Sequence, residues 1–163
     1  VNPISIFLKP SSWIEPSEDE VQTIRELIGK SPQGEFTIVV RAKNGSPVVI
    51  ENSPFFYDGT PMPTRYWLVD PDLVTKISRL ESHGGVKQVQ DEIDFQTIQS
   101  IHTRHENQRN LLIGDNYEGP KPTGGVGGTR KGVKCLHTHV ANYLATGDDV
   151  VGKWALDRID ANE

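Results

Sequence analysis

The chain has 163 residues, 35% hydrophobic and 24% charged, enough for one domain (residues 1–163) to bury a core without staples. A net charge of −5 argues against the basic footprint of indiscriminate nucleic-acid binding, and no run of about 18 apolar residues is present to span a membrane. A single cysteine, Cys135, excludes an internal disulfide framework and fits a reducing compartment; with no leader pattern in "VNPISIFLKPSSW", the expected location is the cytoplasm.

An extended N-terminal segment over residues 1–16 precedes Ser17-x-x-Glu20, a capping box that starts a helix. Val21, Ile24, Leu27 and Ile28 follow at helical spacing, and Gly29 with Pro32 ends the run. "EFTIVVRA" alternates, with Phe36, Ile38 and Val40 on one side and Thr37, Val39 and Arg41 on the other. Asn44-Gly45 is a hairpin turn signal, and "PVVIE" is the return strand. After the proline-punctuated loop "SPFFYDGTPMPT", "RYWLV" supplies a third short strand. Asp70-Pro71 caps and opens the next helix, whose buried stripe is Leu73, Val74, Ile77 and Leu80; Gly84-Gly85 stops it. The periodicity of Val86, Val89, Ile93, Ile98 and Ile101 predicts one long polar helix from about Val86 to Leu112. Residues 114–129 form a Gly/Pro-rich loop, a helix starts near Val133, and a last short helix runs from about Val150 to Ile159. The expected class is α+β: an antiparallel sheet of about three strands packed by four to five helices.

Three motifs, "DGTPMPTRYWLVDP", "SRLESHGGV" and "KGVKCLH", occur in that order. Over roughly residues 36 to 150 the sequence thereby resembles a bacterial, mainly actinobacterial family, the domain-of-unknown-function family numbered five hundred and one. The resemblance brings no activity. It implies a genomic setting near a septum-formation initiator gene and an exopolyphosphatase-like gene. Relatives carry C-x-C-G where this chain reads Ala42-Lys43-Asn44-Gly45, and a cysteine in place of Asp70. With the cysteine of K-C-L-H these would give relatives a thiolate zinc set, of which this chain keeps only Cys135.

The richest stretch is "GGVGGTRKGVKCLHTHVANYLA", residues 124–145. Between Pro120 and Gly147 stand Lys121, Arg130, Lys131 and Lys134 with no acid among them. Glycines before a helix leave backbone N–H groups open to an oxyanion, so Gly127, Gly128, Arg130, Lys131 and Lys134 are the candidate anion site. Cations at a helix N-terminus cost roughly 0.3–1 kcal/mol each, so something negative should offset them. It is a ligand phosphate or carboxylate, or a protein carboxylate such as Glu51 or Glu81; solvated cations on a mobile loop are the plain alternative. No Gly-Lys-Ser/Thr follows the glycines, so this is no P-loop.

A metal centre ranks lower. His137 and His139 are two apart, about 200° around a helix, and point to opposite sides. Cys135 with His139 (i, i+4) and His102 with His105 (i, i+3) share faces, yet His105 and His137 lie on apolar stripes. Buried structural histidines and an inert thiol outrank a metal, and no cofactor is expected. A third arrangement makes Cys135 a nucleophile beside Lys134 with His139 as base. Thr64, Arg65, Tyr66 and Trp67 suit a ligand groove or a partner, against a reading in which Tyr66 and Leu68 face the core. The favoured function is a non-catalytic binding or adaptor module, with a phosphate-bearing ligand or a protein as partner and neither nucleic acid nor membrane. The alternative is an enzyme on a phosphate-bearing small molecule. It would use the same cations as clamp, with Arg41, Glu51 or Asp70 for acid–base chemistry.

Overall fold

A computed structural model describes residues 6–162. Of the extended N-terminal segment expected over 1–16, residues 1–5 lie outside the described residues. Its remainder lies along the end of a later helix: Phe7 bridges Ile113, the Leu8 amide donates to the Leu112 carbonyl, and Phe7 meets Trp13 edge to face at 5.0 Å.

Helix α1 (Glu18–Ile28) starts on the expected capping box, with both reciprocal bonds formed between Ser17 and Glu20, and stops at Gly29. Strands β1 (Phe36–Arg41), β2 (Pro47–Asn52) and β3 (Tyr66–Leu68) form one antiparallel sheet in that order. Phe36 pairs with Asn52 and Ile38 with Ile50, a bulge follows Ile38, and Glu51 pairs with Tyr66 across β2 and β3. Both faces of the sheet are covered. Ile50, Phe36 and Trp67 pack with Ile24 of α1, while Val49, Tyr66 and Leu68 pack with Ala141 on the opposite side. This explains why β2 is buried along its length instead of alternating.

The remaining helices are α2 (Pro71–Ser82), α3 (Gly85–Glu92), α4 (Phe95–Asn110), α5 (Leu136–Thr146) and α6 (Val150–Ala161). Ile77, Val89, Ile98, Ile101, Leu136, Val140, Val151 and Ala155 join them in the largest core cluster. Two boundaries correct the sequence reading. The single helix expected from Val86 to Leu112 is two helices: Ile93 is extended, and the Asp94 carboxylate accepts the Thr97 amide to cap a new start. Periodicity could not see this break, because Ile93 and Ile98 are both semi-buried or buried on either side of it. The helix expected near Val133 begins at Leu136, with Cys135 as its extended N-cap residue. Among the described residues no helix is long and apolar enough to cross a membrane.

Candidate functional site

The glycine-rich segment is built for close packing. Gly124 has φ +80°, and a Cβ there would sit 2.5 Å from the Gly128 carbonyl oxygen; a Cβ on Gly125 would collide with the backbone and Cβ of His102 on α4. The loop also spends three of its amides internally. Gly125 N–H donates to Thr129 O, Gly128 N–H to Gly125 O, and Thr129 N–H to Val126 O around a 3₁₀ turn at Val126–Gly128.

Beyond the turn the backbone is fastened to α3 and α4 by side chains. Gln99 accepts from the Gly132 amide (2.9 Å) and donates to the Arg130 carbonyl (3.0 Å). Gln90 accepts from Val133 N–H (3.1 Å). Buried His102 accepts from Val126 N–H through Nδ1 (3.1 Å) and donates from Nε2 to the Gly132 carbonyl (2.6 Å), which fixes its tautomer. Burial, the larger influence, lowers its pKa against the Gly132 bond. On this pinned strap Arg130, Lys131 and Lys134 are exposed, and none has a carboxylate within 4 Å among the described residues. Arg130 borders a cleft of about 390 Å³ with Gln99, Thr103, Glu106 and Thr123.

At the end of the strap the N-terminus of α5 meets Glu81 of α2. Glu81 Oε2 accepts from the Leu136 amide (2.7 Å), so a protein carboxylate holds the helix end nearest the cations. Its Oε1 lies 3.0 Å from His137 Nδ1, and Cys135 Sγ is 3.5 Å from the same nitrogen. His137 Nε2 faces the Val74 carbonyl (3.2 Å) and Ser78 Oγ (3.1 Å). The hydrogen bond to Cys135 leads the influences that raise the His137 pKa; burial opposes it, and the Glu81 charge adds to the rise. Cys135 and His137 converge although they are only two residues apart, because Cys135 is extended and His137 helical. The i, i+4 pairing of Cys135 with His139 does not form.

His139 instead turns inward. Its Nδ1–H donates to Asp149 Oδ2 (2.8 Å), which also accepts from Asn142 Nδ2 (3.0 Å), while Asp149 Oδ1 caps α6 through the Val151 and Gly152 amides. His105 Nδ1 contacts Asn142 Oδ1 at 3.3 Å, and the His102 and His139 rings lie 5.5 Å apart. This buried network links α4, α5 and α6. The Nε2 atoms of His105 and His139 are buried without a hydrogen-bond partner among the described residues. The four histidine and cysteine candidates for a metal therefore divide between two places: His102, His105 and His139 in this network, and Cys135 at the Glu81 cluster.

The other pocket candidates are dispersed. Arg41, at the end of β1, pairs with Glu20 of α1 at 2.5 Å. Glu51 is buried against Arg65 at 3.2 Å; burial raises its carboxyl pKa against the lowering influence of Arg65. Thr64 lends its carbonyl to Asn52, and Tyr66 is buried beneath the Arg65 guanidinium, its phenol pushed up to about 12 by burial. Asp70 caps α2 through the Leu73 amide. Among the described residues none of Arg41, Glu51 and Asp70 pairs with Lys134. Gln90, Gln99, Asn142 and Asp149 stand in no motif of the sequence; the i, i+3 spacing of Gln99 and His102 is the available signal for the strap.

The family described as "Protein of unknown function (DUF501)" matches residues 38–157. The chain belongs to this family. No curated protein and no solved structure matches it. The DUF501 match runs from within β1 to within α6, so it takes in the sheet, the strap and both halves of the Glu81–Cys135–His137 cluster, and leaves α1 outside.

Proposed function

We propose that this DUF501 protein is a non-catalytic binding module that receives an anionic group, such as a phosphate, on the strap bearing Arg130, Lys131 and Lys134. What supports the reading is the combination of three exposed cations without ion-pair partners among the described residues and a backbone tied down at residues 130, 132 and 133. A backbone held in place before binding loses little conformational freedom when a ligand arrives, so the ordering cost is confined to the cationic side chains. The glycine amides contribute less to this reading than the cations do, since Gly125 and Gly128 donate within the loop. Arg41, Glu51 and Asp70 are each engaged elsewhere, so the geometry favours the binding module over the phosphate-processing enzyme. The resemblance to a family with an exopolyphosphatase-like genomic neighbour makes polyphosphate a sensible probe.

The test is thermal unfolding with inorganic phosphate, pyrophosphate, short polyphosphate and nucleotides, on the parent chain and on a variant with Arg130, Lys131 and Lys134 all changed to Ala. A ligand at about 100 times its dissociation constant adds ~2.7 kcal/mol, a rise of roughly 5–10 °C for a chain of this size. One of these anions should raise the unfolding temperature of the parent and not of the variant. An equal rise in both would remove the strap from the reading.

A further inference from the structure

A second cluster, using none of those cations, brings three metal-ligating atom types together. Glu81, Cys135 and His137 present a carboxylate oxygen, a sulfur and an imidazole nitrogen within 4.8 Å of one another, the one such group of three among the described residues. Zinc bonds of about 2.0–2.3 Å set neighbouring ligands of a tetrahedral ion ~3.3–3.7 Å apart. The separations here, 3.0 Å from His137 Nδ1 to Glu81 Oε1 and 3.5 Å to Cys135 Sγ, are within a few tenths of an ångström of that shape.

The surroundings orient each donor atom. The Val74 carbonyl and Ser78 hydroxyl lie against His137 Nε2, so Nε2–H donates to the carbonyl and the Nδ1 lone pair is left facing Glu81 and Cys135. A backbone carbonyl on the far nitrogen is the usual partner of a metal-bound histidine. The Leu136 amide occupies Glu81 Oε2 and leaves Oε1 on the side of the cluster. Nδ1 thus points its lone pair at a carboxylate oxygen and a sulfur; the Cys135 thiol can donate to it but leaves the carboxylate facing a lone pair, so closing all three together takes a positive centre between them. A proton supplies one; a divalent cation satisfies all three atoms together. The side chains of His137 and Glu81 remain 23% and 24% exposed, which leaves an entry path and a fourth coordination position.

We propose that Glu81 Oε1, Cys135 Sγ and His137 Nδ1 bind a zinc-class divalent ion with a fourth position open to water or an exogenous ligand. Mixed sulfur, nitrogen and oxygen donors suit zinc, and cobalt(II) is its spectroscopic stand-in. The site is separate from the anion strap: failure of phosphate binding leaves it intact, and its own failure leaves Arg130, Lys131 and Lys134 untouched.

The test uses the full chain, reduced, stripped with a chelator, and then given one equivalent of zinc or cobalt(II). The parent is expected to retain one ion through gel filtration. Its cobalt form should show a thiolate-to-metal charge-transfer band in the near ultraviolet and tetrahedral ligand-field bands in the visible. Cys135→Ser places a favoured N-cap residue at the start of α5, where Cys135 makes no side-chain cap bond, so the metal-free variant should unfold no lower than the metal-free parent, yet it should lose the charge-transfer band. Glu81→Gln can still accept the Leu136 amide and should bind zinc at least about 10–100-fold more weakly, the cost of disturbing even an outer-shell partner. A parent that keeps no zinc, a cobalt form without the thiolate band, or zinc binding by folded Cys135→Ser as tight as the parent's would each overturn the proposal.

Discussion

Replacing His105 with glutamine should flatten the acid side of the stability profile. His105 is 5% exposed on α4, in contact with Asn142 of α5, with Arg109 on its own helix, Tyr66 and Arg65 of the sheet region, and Asp149 of α6 around it. Burial first, and then the Arg109 and Arg65 charges, lower its pKa from 6.5 to about 4, with the Asn142 bond and the Asp149 charge opposing. Below 6.5 the unfolded chain therefore binds a proton that the folded chain refuses, and stability falls as pH falls until the folded group titrates near 4. With those two values, the loss between about pH 7.5 and pH 5 is RT ln(1 + 10^1.5) less a small native term, or ~2 kcal/mol. In a chain of this size that is roughly 4–8 °C of unfolding temperature. His105→Gln removes the titrating ring and retains an N–H for Asn142. Urea unfolding of parent and variant at both pH values isolates the difference, because the opposite-signed contributions of His102 (lowered) and His137 (raised) are common to both chains. If the variant loses as much stability as the parent over that interval, His105 takes up its proton in the folded state and the reasoning fails.

Three further expectations concern the same region. Gly125→Ala drives a methyl into the His102 backbone and should cost ~1–3 kcal/mol, read as a lower unfolding temperature; an unchanged temperature would mean the turn can move off α4. Asp149→Ala removes the α6 cap and leaves buried His139 and Asn142 donors without their acceptor. Adding a cap loss of about 1 kcal/mol to about 1–3 kcal/mol for an orphaned buried group gives ~2–4 kcal/mol by chemical denaturation. Lys134→Ala, by contrast, should change stability by no more than ~0.5 kcal/mol, since Lys134 is exposed and has no ion-pair partner among the described residues. A larger loss would assign it a structural contact.

Sequence patterns reached most of the fold, for identifiable reasons. The Ser17–Glu20 box, the Asn44-Gly45 turn and Asp70-Pro71 are local signals whose physics needs no tertiary partner, and all three sit where they were expected. The break at Ile93–Asp94 was hidden because apolar spacing survives a short interruption. The histidines illustrate the limit more sharply. The i, i+4 spacing places His139 on one helix face with Cys135, but the helix begins one residue after Cys135, which turns the thiol toward His137 and leaves His139 for Asp149, ten residues on. Glu81 lies 54 residues before Cys135 and Gln99 lies 33 before Gly132, distances at which spacing carries no information about contact. The net excess of cations between Pro120 and Gly147 was legible; that side chains of α3 and α4 would fasten their backbone was not.

The most direct test of the anion reading is a pyrophosphate titration of the isotope-labelled chain followed by amide NMR. The account expects saturable shifts centred on residues 129–134 and their neighbours on α4 near Gln99 and Thr103, lost when Arg130, Lys131 and Lys134 are changed to Ala. Shifts centred elsewhere, or the same shifts in that variant, would contradict it.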